Sequence, residues 1–120
     1  MIQVKRVYDP ASKEDGTRFL VERLWPRGMR KEALHMAAWC KEAAPSPDLR
    51  RWFGHDPEKW EEFKKRYRAE LAKNRSALRS LLDAARLGTV TLLYSTRDLK
   101  RNSAVILKLY LERILAEKKR

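Results

Sequence analysis

Cysteine occurs once, at Cys40, and histidine twice, at His35 and His55, in a chain of 120 residues. A single thiol excludes an intrachain disulfide and any thiolate metal cluster built by this chain alone, and these spacings make no metal motif. Asparagine and glutamine are nearly missing, with Gln3, Asn74 and Asn102 the whole set. No apolar run approaches transmembrane length, and the opening MIQVKRVYDP has no signal-peptide region. The expectation is a soluble, cytoplasmic protein with no membrane partner. Neither a GxGxxG nor a GxxxxGK[ST] phosphate loop is present, so no cofactor is expected. No internal repeat and no recognised nucleic-acid motif stands out.

What the chain has in excess is charge. Lysine and arginine number 28 against 16 acidic residues, a formal net charge of +12. Such a field favours anionic partners: phosphorylated metabolites, nucleic acid, acidic proteins or membrane surfaces. Abundant Lys, Arg and Glu with few amides is also a pattern of heat-adapted proteins, so part of the excess can serve stability instead. With 43% hydrophobic residues, the chain can bury a core without staples, and its length suits a single domain over 1–120.

Ile2 and Val4 alternate with Gln3 and Lys5, which predicts a strand over about 2–7. DPASKEDG reads as a loop. TRFLVERLW, residues 17–25, predicts a second, more central strand. Trp39 lies in MAAWCKEAAP, where a short strand and a helical turn both fit. Ser46 before Pro47 signals a helix stopped at Gly54, and Asp56 with Pro57 signals another. In that second helix Trp60, Phe63, Tyr67 and Leu71 form one apolar stripe, predicted to face the core. A further helix spans roughly 75–87, followed by Gly88. TVTLLY, 89–94, predicts a β-branched strand buried on both sides. The last helix is capped by Asn102 or Ser103. The order β, β, helical middle, β, α implies an α/β domain: small, three-layered, with a short, mainly parallel sheet and flanking helices.

Four motifs then stand together: VKRVYDP, DGTRFLVERLWPRG, APSPDLRRWFGHDPEKWEEFKKRYRAEL and VTLLYSTRD. Over nearly the whole chain, from Val4 to about Leu111, the sequence resembles the DUF488 family, whose function is unknown. The resemblance also marks a departure. Relatives carry a His–Asn pair just before the last helix, and here that place is Arg101–Asn102. A general-base role for that histidine does not carry over, and an extra positive charge stands there.

In open parallel sheets, ligands bind beyond the carboxyl ends of the strands. The first strand ends at Tyr8 and Asp9, the second at Trp25, Pro26, Arg27 and Gly28, and the last at Ser95, Thr96, Arg97 and Asp98, just before Asn102. Parallel strands would bring these ends to one edge. The predicted ligand-binding set is Tyr8, Asp9, Arg23, Trp25, Arg27, Ser95, Arg97, Asp98 and Asn102. Arginines beside a helix N-terminus suit phosphate or carboxylate. Arg23, inside an apolar run, calls for a carboxylate partner, with Asp9, Asp15 or Asp98 available. Each member has a plainer reading: Arg97–Asp98 as a loop ion pair, Tyr8 and Trp25 as core. Cys40 reads as a buried small hydrophobe, its alternative being a nucleophile. His55 reads as loop structure beside a helix cap, its alternative being an acid or base.

The leading expectation is a protein that binds an anionic small molecule at the C-terminal edge of its sheet, with binding alone and catalysis both open. The alternative is a basic protein that binds nucleic acid nonspecifically without catalysis. Lys64, Lys65, Arg66, Arg68, Lys73, Arg75, Arg79 and the tail Lys118, Lys119 and Arg120 would contact phosphates. Glu58, Glu61, Glu62 and Glu70 interrupt that run as on an ordinary solvated helix. A module whose exposed face binds a protein partner is the third reading.

Overall fold

The computed structural model describes residues 1–118. Four strands, β1 (Ile2–Arg6), β2 (Thr17–Leu20), β3 (Ala38–Trp39) and β4 (Val90–Tyr94), form one sheet in the order β1-β4-β2-β3. Every pairing is parallel, with Leu92 of β4 opposite Val4 on one side and Phe19 on the other. The β-branched and leucine-rich β4 is buried at every residue, as a central parallel strand must be.

The helices are α1 (Lys31–Leu34), α2 (Pro47–Phe53), α3 (Trp60–Lys73), α4 (Arg79–Leu87) and α5 (Ser103–Lys118). Their starts follow the caps in the sequence. The Ser46 hydroxyl accepts the Leu49 N–H, and Asn102 Oδ1 accepts the Val105 N–H at 3.0 Å. Asp56 also caps, but it opens a 3-10 turn over Pro57–Lys59 that runs into α3. Another such turn, Arg75–Leu78, leads into α4. A proline at the first position and a tight first turn are compatible, because the first N–H groups have no helical acceptor in either form.

The two faces of the sheet are covered unequally. Ile2, Phe19, Val21, Val90, Leu92 and Tyr94 project into the main core against the longer helices. There Phe63, Tyr67 and Leu71 of α3 are buried as the stripe predicts, while Trp60 packs at the margin, half-buried. Phe53 stacks on Phe63 with centroids 4.3 Å apart, joining α2 to α3. The opposite face carries Val7, Leu20 and Leu93 under Leu34 of α1, Trp25, Met29, Met36 and Trp39. Its cover is loop and one helical turn, a thin third layer.

That thin side also holds a buried ion cluster. Asp15 bonds Arg18 and meets Lys5 at 3.1 Å, and Arg18 donates to the backbone oxygens of His35 and Leu34. Burial alone would push the Asp15 carboxyl up; the Ser12 N–H and the Lys5 and Arg18 side chains outweigh it and hold the group below the usual carboxylate range. Arg18, not Arg23, is therefore the arginine that needs a buried carboxylate. Arg23 is half-buried and lies against Glu42 at 3.3 Å and the Pro45 carbonyl at 3.1 Å.

The second strand is shorter than its apolar run suggests. It ends at Leu20, although Val21 still donates to the Leu93 carbonyl at 3.2 Å. Beyond it the side chains serve different layers: Val21 the main core, Glu22 the end of β4, and Trp25 the thin side, where its Nε1–H donates to the Met29 carbonyl. The undecided stretch MAAWCKEAAP forms β3 and then a 3-10 turn over Lys41–Ala43.

Candidate functional site

Because every pairing is parallel, the carboxyl ends of β1, β2 and β4 lie on one edge, and a cleft opens beyond β4. Its main cavity is about 340 Å³. One wall is the chain leaving β4, from Tyr94 to Thr96, with the entry to α5 at Arg101, Asn102 and Ser103. The other is the C-terminal end of α2 and its exit, with Arg50, Arg51, Phe53 and His55. Glu22, Pro45 and Phe63 complete the lining. A shallower hollow adjoins it, sharing Phe53, His55, Thr96 and Arg101 and adding Pro57, Arg97 and Asp98.

The β4 side is pinned from both directions. Glu22 Oε1 accepts the Ser95 N–H and hydroxyl. From the far side Arg6 donates to the carbonyls of Ser95 and Thr96, each at 3.0 Å. The turn that follows is organised by Asp98, whose Oδ1 accepts the Lys100 and Arg101 N–H groups. These backbone donors, with the Arg101 guanidinium 3.5 Å away, hold the Asp98 carboxyl below its ordinary range. The Asn102 amide donates to the Asp98 carbonyl while its oxygen caps α5. The N-terminus of a 16-residue helix thus opens at the cleft in a fixed direction.

On the α2 side, Gly54 and His55 both take left-handed backbone conformations, φ 52° and 58°. Glycine does so freely, whereas histidine does so at a cost. The turn places the His55 ring on both hollows, 6.2 Å from Phe53. Among the described residues, neither Arg50 nor Arg97 has a carboxylate partner. The rim is accordingly rich in cations, with Glu22 as the carboxylate in the main cavity's wall.

Of the residues the sequence singles out, Ser95 and Asn102 line the main cavity and Arg97 and Asp98 the adjoining hollow. The other five do not line either. Tyr8 is exposed and donates its hydroxyl to the Arg27 carbonyl at 2.8 Å, which ties the turn after β1 to the loop that follows β2. Arg27 itself is exposed, carried away by the loop that crosses the thin side. Asp9 is exposed in the turn after β1, where its N–H reaches the Arg6 carbonyl. Trp25 packs under the thin side, edge-on to Trp39 at 5.3 Å. Arg23 lies in a separate hollow beside Glu42, Ser46 and Glu70. Glu22, Arg50, Arg51, Phe53 and Tyr94 were not readable as site residues, because the fold brings α2 across the end of β4. Arg101 and His55 carried a signal: one stands where relatives have histidine, the other sits between glycine and a helix cap.

Two chemistries find no support in the geometry. Burial pushes the Cys40 thiol up, against a smaller opposing effect of Ser80, so the thiolate is disfavoured. No cluster of His, Cys, Asp and Glu among the described residues could hold a metal ion. The basic helix faces are partly neutralised: Lys64 pairs with Glu61, Arg66 with Glu62 and Arg86 with Asp83. Lys119 and Arg120 of the basic tail lie outside the described residues. Among those residues no helix is long and apolar enough to cross a membrane.

Comparison with known proteins is consistent in one direction. Residues 1–120 match the family described as the inactive DUF488-N3 subclade. The uncharacterized protein YeaO of Escherichia coli (strain K12) is 44% identical over 106 residues, covering 88% of this chain and 92% of that protein. The uncharacterized proteins Rv3073c of Mycobacterium tuberculosis (strain ATCC 25618 / H37Rv) and Mb3100c of Mycobacterium bovis (strain ATCC BAA-935 / AF2122/97) are 41% identical, covering 88% of this chain and 89% of each relative. No solved structure matches.

Proposed function

The chain belongs to the DUF488 family, in the branch described as its inactive N3 subclade, and from that premise we propose that the cleft beyond β4 binds an anionic small molecule without turning it over. The observation that carries this reading is that the α5 N-terminus, Arg50 and Arg101 line one cavity, with Arg97 in the hollow that adjoins it through Arg101. The first N–H groups of a helix have no intrahelical acceptor, and Asn102 occupies only that of Val105. Those donors, the dipole behind them and planar guanidinium groups form a receptor for phosphate or carboxylate. Ser95, Asp98 and Asn102 fix the walls, and Asp98 also orients Arg101.

Binding without reaction fits the residues. Arginine replaces the histidine of the resembled relatives at position 101, and Cys40 is unactivated. His55 is left as a single exposed imidazole with no nucleophile hydrogen-bonded to it among the described residues, which falls short of a base–nucleophile pair.

Isothermal titration with inorganic phosphate at low ionic strength tests the reading. Binding should be measurable in the wild type and roughly tenfold weaker in Arg101→Ala and in Arg50→Ala, the equivalent of about 1.4 kcal/mol each. Absence of phosphate binding, or binding that ignores both substitutions, would overturn it.

A further inference from the structure

We infer that the ligand of this cleft bears a planar, amino-carrying ring besides its anionic group, a free nucleoside monophosphate being the simplest molecule of that class; the inference rests on the anion-binding reading above. A receptor for a bare anion has no use for a carboxylate in its wall, since like charge repels the ligand. This cavity has one in Glu22. Its Oε1 is occupied by both donors of Ser95, whereas Oε2 accepts no hydrogen bond among the described residues. The Ser95 bonds hold the carboxylate in place without neutralising it. A half-buried carboxylate with an open oxygen, facing a cavity, selects a ligand that brings an N–H donor.

The same cavity is also lined by aromatic and apolar side chains: Phe53, Phe63, Tyr94 and Pro45. Phe63 and Tyr94 are nearly fully buried, so this part of the wall is the edge of the main core, with Phe53 and Pro45 beside it. Burial also pushes the Tyr94 hydroxyl up, with the charge of Arg6 only partly opposing it, so the phenol adds no negative charge to the wall. Aromatic walls favour a flat, weakly hydrated group. A cavity of about 340 Å³ is of the size that takes a small ring with its substituent.

The three demands are an anion at the arginines, a flat ring against the aromatic lining and an N–H donor at Glu22. A nucleobase with an exocyclic amino group meets the last two, and its 5′-phosphate the first. Adenine, cytosine and guanine qualify. Uracil does not, because its only ring N–H away from the sugar is flanked by carbonyl oxygens that would face the carboxylate.

The test is a titration series on the full chain with inorganic phosphate, ribose 5-phosphate, AMP, GMP, CMP and UMP. The expected result is that at least one of AMP, GMP and CMP binds tenfold or more tightly than ribose 5-phosphate, while UMP does not. In Glu22→Gln the preference for the amino-bearing nucleotide over ribose 5-phosphate should shrink severalfold. If phosphate and ribose 5-phosphate bind but no nucleotide binds more tightly, the inference falls and the anion-binding reading survives. A UMP affinity equal to that of the others would overturn the role of Glu22. Tighter binding of a 5′-phosphorylated trinucleotide than of any mononucleotide would overturn the assignment to a free nucleotide. If phosphate itself does not bind, both readings fall. The wild-type series decides the question even if the Glu22 variant does not fold.

Discussion

Glu22 and Ser95 lie 73 residues apart in sequence, yet one carboxylate oxygen accepts both the N–H of Ser95, at 2.8 Å, and its hydroxyl, at 2.9 Å. The pair fastens the chain leaving β2 to the chain leaving β4 at the point where ladder bonding ends. Glu22→Ala should lower stability by about 1–3 kcal/mol, because the Ser95 N–H then has no partner in a half-buried position. Glu22→Gln should cost less, since the amide oxygen can still accept. Urea unfolding of the two variants distinguishes them; equal midpoints for wild type and Glu22→Ala would show that water replaces the bond at no cost.

The buried cluster of Lys5, Asp15 and Arg18 sets an acid limit. The Asp15 carboxyl titrates below its ordinary range in the folded chain, so its contribution is complete above the unfolded value of about 4 and is lost as pH falls through the lower folded value. Asp15→Asn should therefore destabilise by about 3 kcal/mol at neutral pH, where it leaves the Arg18 charge buried and unpaired. The gap between the two proteins should narrow on acidification below about pH 4. Unfolding measured across that window gives the comparison, and a gap that is independent of pH would remove the assignment.

Gly16 is the residue at which the chain turns into β2. Its φ is +63°, and a Cβ there would lie 2.1 Å from the Thr89 carbonyl oxygen, a backbone atom that cannot swing away. Gly16→Ala should cost about 3 kcal/mol or more, combining left-handed strain with overpacking. At Gly28, also at positive φ but with open space around it, the same change should cost only the strain, about 1–2 kcal/mol. Thermal melts of the two variants test the contrast.

Any binding to DNA or RNA should be weak, steeply salt-dependent and indifferent to sequence. Contacts would come from dispersed lysines and arginines, several already paired along their helices. Titration of two unrelated duplexes across salt concentrations should give superimposable slopes. A strong preference for one sequence at physiological salt would replace the small-molecule reading.

The parts of the fold legible in the sequence were those with local causes. Ser46, Asp56 and Asn102 cap where their side chains can reach their own backbone, and the aromatic stripe of α3 is a matter of helical period. The parallel edge follows from strand order, and so does the position beyond β4 of Ser95 and Asn102, in the main cavity, and of Arg97 and Asp98, in the adjoining hollow. Glu22 and Arg50 are not legible as linings of one cavity, because that depends on how α2 crosses the end of β4. Arg27 and Trp25 misled for the opposite reason. They stand beside Glu22 in sequence, but Val21–Trp25 leaves the sheet and serves three layers within five residues. Arg18 was hidden among the apolar residues of β2, where period-two alternation placed it on the thin side with Leu20.

The sheet order carries a consequence for how this chain comes into being. β1 and β2 are the first strands to be made, and neither pairs with the other; β4 lies between them. On the ribosome β1 has no partner and β2 has only the short β3 on its outer side, so the edges that face β4 stay open until the chain through Tyr94 has emerged. Only then can the central strand slide between them and close the ladder on both sides at once. Nascent chains halted before β4 should remain sensitive to protease along β1 and β2, and protection should appear in one step when β4 becomes available.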